Sequence, residues 1–172
     1  MNATSTPDRP HGGLLAWLAE RGIEHEVRTH PEAFTARATA DAERVDARTF
    51  AKVVGVATAD GRPVLLVLDA TDRVDLRKAR RTLETDEVRL LSEAELAAVA
   101  PDCEAGALPA VGPLFGLPMY ADFAVRDDPE ISFNAGTHRS SVRVDRVAWE
   151  AATGVVCADL AADDEGPVWA RS

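Results

Sequence analysis

Two runs decide the fold: Phe50-Ala-Lys-Val-Val-Gly-Val-Ala-Thr58 and Pro63-Val-Leu-Leu-Val-Leu-Asp69, with Asp60-Gly61 between them. Both are apolar and rich in β-branched residues, which suit a pleated, packed surface. Asp-Gly between two such runs marks a tight hairpin, because glycine takes the positive φ that the turn requires. The chain is therefore expected to carry an antiparallel strand pair near its middle.

Upstream, Leu14, Leu15, Trp17 and Leu18 recur at helical spacing within Gly13–Arg21, and Gly22 stands where a helix-ending glycine belongs. Ile23–Thr29 reads as a short strand, broken by His30-Pro31. Thr35–Glu43 is Ala-rich and predicts a second helix capped by Thr35. Downstream, Val74–Leu83 is a basic amphipathic helix, Glu87–Leu91 a strand, and Ser92-x-x-Glu95 a capping box opening the helix Glu93–Ala100, which Pro101 stops. Strands are expected over Pro118–Val125, Glu130–Asn134 and Ser141–Val144. Asp145 caps a last helix, Arg146–Ala152, closed by Gly154, and Val155–Ala158 adds an edge strand. Helices first, then a strand-dominated middle with helices inserted, predict an α+β domain with a mixed, largely antiparallel sheet flanked by helices.

A length of 172 residues, 46% hydrophobic and 28% charged, fits one globular domain with a proper core. No run approaches the ~20 apolar residues of a membrane span, and Met1–Gly12 has no apolar signal region, so no membrane partner is expected. Cys103 and Cys157 are too few for a disulfide framework or a cysteine-rich zinc site, which predicts a reduced, cytoplasmic setting. The net charge of −10 argues against duplex DNA as a partner, because phosphate neutralisation drives such binding, yet leaves room for a local basic patch that grips one RNA end. The basic residues are almost all arginine; the only lysines are Lys52 and Lys78. Residues 1–11 are expected to be a disordered tail, 12–160 the folded domain and 161–172 a fraying acidic tail.

Three stretches carry chemistry. In Asp102–Asp122, Gly106, Pro109, Gly112, Pro113, Gly116 and Pro118 forbid helix and regular strand, while Ala107, Leu108, Val111, Leu114, Phe115 and Leu117 keep the run apolar. A stiff, partly buried loop fixes its backbone N–H groups, which suits an oxyanion or phosphate. Lys52 interrupts an apolar strand, where burial is costly unless an anion compensates, or the alternation turns it outward. Phe133-Asn-Ala-Gly-Thr-His-Arg139 offers the Asn134 amide, the flexible Gly136 and the His138 imidazole to a small ligand, or is an ordinary turn. Ser140 and Ser141 sit in no nucleophile elbow, and His11, His25, His30 and His138 show no metal-binding spacing. Cys103, between Asp102 and Glu104, has a disfavoured thiolate and reads as a packing residue. No cofactor or metal is called for.

The Ala-Lys-Val-Val hairpin, the Asp-Cys-Glu-x-Gly-Ala-x-Pro loop and the Phe-Asn-Ala-Gly-x-His turn, in this order, resemble the YbaK/prolyl-tRNA-editing (aminoacyl-tRNA deacylase) family over about Gly13 to Thr153. His30-Pro-Glu-Ala-Phe-Thr35 and Ala40 are similar to the family's segment after its first strand. The resemblance implies a curled mixed sheet and an editing pocket that hydrolyses the ester of a wrongly charged tRNA. It also implies the tRNA acceptor end as partner, with a prolyl-tRNA synthetase as a further candidate. Carried over, Lys52 holds the terminal ribose-phosphate and Gly106 opens the loop facing the aminoacyl group. The family's Gly-x-x-x-Pro pattern has Ala110 at its fifth position here, with Pro109 before it.

Together these point to a free-standing deacylase for a small amino acid, such as alanine or cysteine, on tRNA-Pro. Lys52, Gly106, Ala107 and His138 are its candidate catalytic residues. Phe34, Thr35, Leu108, Pro109, Ala110, Gly112, Asn134 and Gly136 are the candidate substrate contacts. Arg37, Arg44, Arg48 and Arg139 are expected around the pocket mouth. Arg77, Lys78, Arg80 and Arg81 form a second basic stripe that reads as a solvated helix face. The alternatives are a catalytically inactive module binding a nucleotide or aminoacyl ligand in the same pocket, favoured by Ala110, and a small-molecule ester or amide hydrolase.

Overall fold

The computed structural model of the protein describes residues 9–31, 38, 40 and 49–163. The expected helix over 35–43 lies outside them apart from residues 38 and 40, as do residues 1–8 and 164–172. In chain order the described elements are α1 (Gly12–Glu20), β1 (His25–Thr29), β2 (Ala51–Thr58), β3 (Pro63–Asp69), α2 (Leu76–Leu83), β4 (Val88–Leu90) and α3 (Glu93–Val99). They continue with β5 (Met119–Asp122), β6 (Glu130–Asn134), β7 (Ser140–Asp145), α4 (Arg146–Thr153) and β8 (Val156–Ala158). Short 3-10 turns occupy Gly112–Phe115 and Phe123–Asp127.

The hairpin forms as its sequence dictates. β2 and β3 pair antiparallel from Ala51↔Asp69 to Ala57↔Pro63, and Gly61 turns the chain at φ 83°. The caps are equally local. Asp75 accepts from the Arg77 and Lys78 amides, Ser92 and Glu95 close their capping box, and Asp145 accepts from Ala148. The strand expected over 118–125 stops at Asp122 instead, because its carboxylate accepts from the Ala124 amide and turns the chain.

β2 is the spine of the sheet. β3 lies along one edge; on the other, β4 pairs with residues 56–58, and a parallel Phe50↔Ser132 bridge brings in β6. The order β4-β2-β3-β5-β8 thus joins the antiparallel β1-β7-β6 sheet in one curled, mixed surface, with β3, β5 and β8 parallel. β3 is buried along nearly its whole length because both faces are covered. Ala51, Leu65 and Val67 pack with Leu14, Trp17 and Leu18 of α1, Phe133, Trp149 and the Gly/Pro loop. Val56, Leu66 and Leu68 face the other way, against Ala79 of α2 and Leu160. Each such leucine buried contributes about 1.5–3 kcal/mol.

The folded region reaches into both segments read as tails. His11 caps α1, its Nδ1 accepting from the Leu14 amide, and its own amide donates to the Ala135 carbonyl. At the other end Ala161 bridges Val74, and the Ala162 amide donates to Arg73. Lys78 is not part of a solvated stripe: its side chain is only 10% exposed. Its ammonium donates to Asp159 Oδ1 (2.9 Å), the Ala161 carbonyl (2.7 Å) and Asp163 Oδ1 (2.8 Å). These partners hold its pKa above the ordinary lysine value. Lys78→Ala is expected to lower the Tm and to speed cleavage of the 158–163 segment by a broad-specificity protease. Limited proteolysis read by mass spectrometry checks this, and an unchanged cleavage rate would contradict the clamp.

Candidate functional site

The Gly/Pro loop is rigid for reasons visible residue by residue. The Ala107 amide turns back onto the Glu104 carbonyl, with Gly106 at φ 82° between them. Gly112 begins the 3-10 turn with Pro113, and Gly116 (φ 69°) ends it. A side chain at Gly112 would stand 2.5 Å from the Leu117 carbonyl oxygen, so this close approach admits only glycine. Ala107, Leu108, Ala110 and Val111 are buried, and the fully buried Trp149 indole donates to the Ala110 carbonyl at 2.7 Å.

The loop is gripped by the turn that follows β6. The Glu104 amide donates to the Gly136 carbonyl (2.8 Å), and the Gly136 amide donates to the Ala107 carbonyl (2.9 Å). Gly136 has φ 92°, and a Cβ there would stand 2.9 Å from the His11 Cβ. His138 Nε2 lies 2.7 Å from the Ala105 carbonyl; a carbonyl only accepts, so this nitrogen carries the proton. Gly106, Ala107, Leu108, Ala110, Gly136 and His138 are thus brought together, whereas Asn134, just ahead of the turn, faces the other side of the sheet. The amides of Gly106, Leu108 and Ala110 donate to no described residue, although Leu108 and Ala110 are buried. Backbone N–H groups without a described acceptor are the loop's candidate donors to an incoming oxyanion. The Cys103 thiol is pushed up to about 12 by burial and by Asp102, which leaves it an inert packing group beside Gly136.

Lys52 approaches from a different direction. Ala51 and Val53 face the cluster that holds the loop, so alternation along the unbroken β2–β3 ladder puts Lys52 on the opposite face, with Val54 and Val56. Ser132 and Asn134 take that same face of β6, since Ile131 and Phe133 point into the core. Lys52 and Asn134 therefore lie two residues beyond the Phe50↔Ser132 bridge, on neighbouring strands running the same way. Ser132, Asn134 and Ser141 are all buried, which makes this a polar floor at the end of the sheet. Asn134 leads directly into the turn that the loop grips. Lys52 is half-buried; desolvation lowers its pKa, with Asp72 opposing and Arg73 adding to the shift. Phe34, Thr35, Arg37, Arg44 and Arg48 lie outside the described residues.

One ionisable group near this end of the sheet was not singled out by sequence. Asp69 closes the apolar strand β3 opposite Ala51 and is 8% exposed. Burial raises its pKa to about 7, with Asp72, Asp128, Asp122 and Asp127 adding repulsion. Its only signal was a carboxylate at the end of an apolar run. By contrast, a 320 Å³ depression lined by Glu24, His25, Glu26, Glu130 and Arg143 lies on the β1–β7–β6 sheet. Its acidic lining suits no phosphate. Among the described residues, no group of three or more His, Cys, Asp or Glu side chains is arranged to hold a metal ion.

Two stability measurements follow. Trp149→Phe strands the buried Ala110 carbonyl and is expected to cost about 1–3 kcal/mol in urea denaturation. For Asp69 the folded state keeps a proton that the unfolded chain releases, so stability falls as pH rises from about 3.8 to about 7. Asp69→Asn is expected to raise the Tm at pH 8, with the gap closing by pH 4.

The sequence pattern of the aminoacyl-tRNA editing domain matches residues 30–151. Among solved structures, a scaffold from a study of epitope backbone grafting by computational design is 29% identical, covering 88% of this chain and 96% of its own with a TM-score of 0.76. A chain described as a candidate trans-editing enzyme for prolyl-tRNA synthetase is 26% identical, with the same 88% and 96% coverage and a TM-score of 0.76. A hypothetical protein at 18% identity, covering 87% of this chain and 99% of its own, shares the fold with a TM-score of 0.79. No curated protein matches. With the family pattern spanning the hairpin, the Gly/Pro loop and the turn that holds it, the chain belongs to the aminoacyl-tRNA editing domain family.

Proposed function

We propose that the protein is a free-standing hydrolase that deacylates misacylated tRNA bearing a small amino acid, alanine or cysteine, with tRNA-Pro as its carrier. The observation that carries this reading is the set of amides at Gly106, Leu108 and Ala110, fixed by the Gly136 hydrogen bonds and lacking acceptors among the described residues. An aminoacyl ester is already activated, so a positioned water and fixed donors for the developing oxyanion are sufficient chemistry. Loss of one such donor costs ~10²–10³ in rate. Lys52 and Asn134, on the polar floor at the end of the sheet, serve the terminal ribose-phosphate, and the turn after Asn134 links that floor to the loop that faces the ester. His138 acts as a positioning residue, because its Nε2 is committed to the Ala105 carbonyl. The prolyl-tRNA synthetase link is supported by the 26%-identical chain described as a candidate trans-editing enzyme.

Ala110 stands where the resemblance has proline, a departure that by itself favours an inactive binding module. The Trp149 indole on its carbonyl supplies rigidity by another route, and this favours hydrolysis. Discrimination against one extra methyl rests on pocket volume and is worth about 1–3 kcal/mol. The test is deacylation against a panel of charged tRNAs. Wild type is expected to turn over an alanyl or cysteinyl ester. Lys52→Ala is expected to lose ~10²-fold or more in rate while keeping a near-wild-type Tm. Failure of wild type on every charged tRNA would overturn the assignment; binding without turnover would favour the inactive module.

A further inference from the structure

The outward face of α2 carries Arg77, Arg80 and Arg81, all exposed and spaced i, i+3 and i+4 so that they share one side of the helix. Most other described arginines are engaged: Arg28 with Glu26, Arg62 with Asp60, Arg89 with Glu95, Arg143 with Glu26, and Arg146 with Glu150. Arg80 and Arg81 make no ion pair with any described residue, and Arg77 reaches only the capping Asp75, at 4.0 Å. The carboxylates of Asp159 and Asp163 are taken by Lys78 from the inner side of the helix. The helix dipole does not account for the set. It favours Arg80 and Arg81 in the last turn but disfavours Arg77 in the first.

The stripe also has a direction. α2 packs on the sheet face that carries Lys52, and Arg73, just ahead of α2, is near enough to act on the Lys52 charge. The cations therefore run from Lys52 through Arg73 to Arg77, Arg80 and Arg81, with Arg77 and Arg81 ~6 Å apart along the helix axis. In a chain of net charge −10, three exposed arginines gathered on one side of a helix, on the sheet face that carries Lys52, suit a polyanionic strand.

We infer that the Arg77–Arg80–Arg81 face binds the phosphate backbone of the RNA stem adjoining the acylated end seated at Lys52. This rests on the editing function proposed above. Guanidinium forks match phosphate oxygens, and such contacts add affinity and register without reading sequence. The acidic remainder of the surface confines the RNA to this track.

The test compares the full chain with its R77Q/R80Q/R81Q variant, whose fold is checked by circular dichroism. The probe for binding is an uncharged RNA hairpin with a base-paired stem and a single-stranded 3′ end, followed by fluorescence anisotropy over a salt series. The variant is expected to bind about tenfold more weakly or worse, with the slope of log K against log salt shallower by about 2–3. Deacylation supplies the second readout. kcat/KM is expected to fall on full-length charged tRNA and to stay unchanged on a short aminoacyl-trinucleotide ester lacking the stem. Equal binding and equal salt slope in the two proteins would overturn the inference, as would an equal loss on the short ester. If wild type hydrolyses no charged tRNA but the hairpin affinity still depends on the three arginines, the editing reading fails and the RNA surface stands. If wild type deacylates and the hairpin result is flat, the surface alone falls.

Discussion

The paired hydrogen bonds at Gly136, one received from Glu104 and one given to Ala107, are the constraint on which the site depends. They join a segment with no regular structure of its own to the end of a buried strand. The same turn accepts the His11 amide at Ala135, so three distant parts of the chain converge within two residues. Only a residue without a side chain fits there, at φ 92° and under the His11 Cβ. Because the loop's other side is packed into the core and its Ala110 carbonyl is held by Trp149, its donors are oriented before any ligand arrives. The ordering entropy is met during folding, which is the physical meaning of a preorganised site.

An acidic chain and the RNA substrate proposed for it are compatible through segregation of charge. Asp69, Asp72, Asp122, Asp127 and Asp128 repel one another strongly enough to disturb the Asp69 carboxyl. Glu24, Glu26 and Glu130 gather around the depression on the smaller sheet. Among the described residues, Arg80 and Arg81, which make no ion pair, lie with Arg77 on neither of these but on the outer face of α2. Net charge therefore describes solubility here, while the partner reads the local arrangement.

What the sequence disclosed was local. Asp60-Gly61, Ser92-x-x-Glu95, Asp75, Asp145 and Gly154 act within a few residues of themselves, and each does in the structure what its chemistry dictates. Gly106 and Gly136 were legible as flexible points, but not the hydrogen bonds that tie their segments together. Lys52 shows the boundary clearly. Period two says that it opposes Ala51 and Val53, yet which face the loop covers is set by contacts with α1, β6 and α4. From its helix alone Lys78 looks solvated, because its partners lie 81 and 85 residues away, beyond any pattern in the helix. The strand pattern runs on past Asp122 for a related reason, since its carboxylate serves both a local turn and the distant Leu160 and Ala161 amides.

The fates of the two lysines have a practical side. Lys78 spends its three hydrogens on three oxygens behind α2, so an amine-reactive reagent meets an ammonium with no lone pair to offer. Lys52 is half-buried but carries a weakened hold on its proton. Of the two lysines, Lys52 is thus the one open to acylating probes, and it stands on the floor where the substrate's end is proposed to rest. The arginine-for-lysine habit of this sequence turns that one side chain into a ready-made reporter of occupancy.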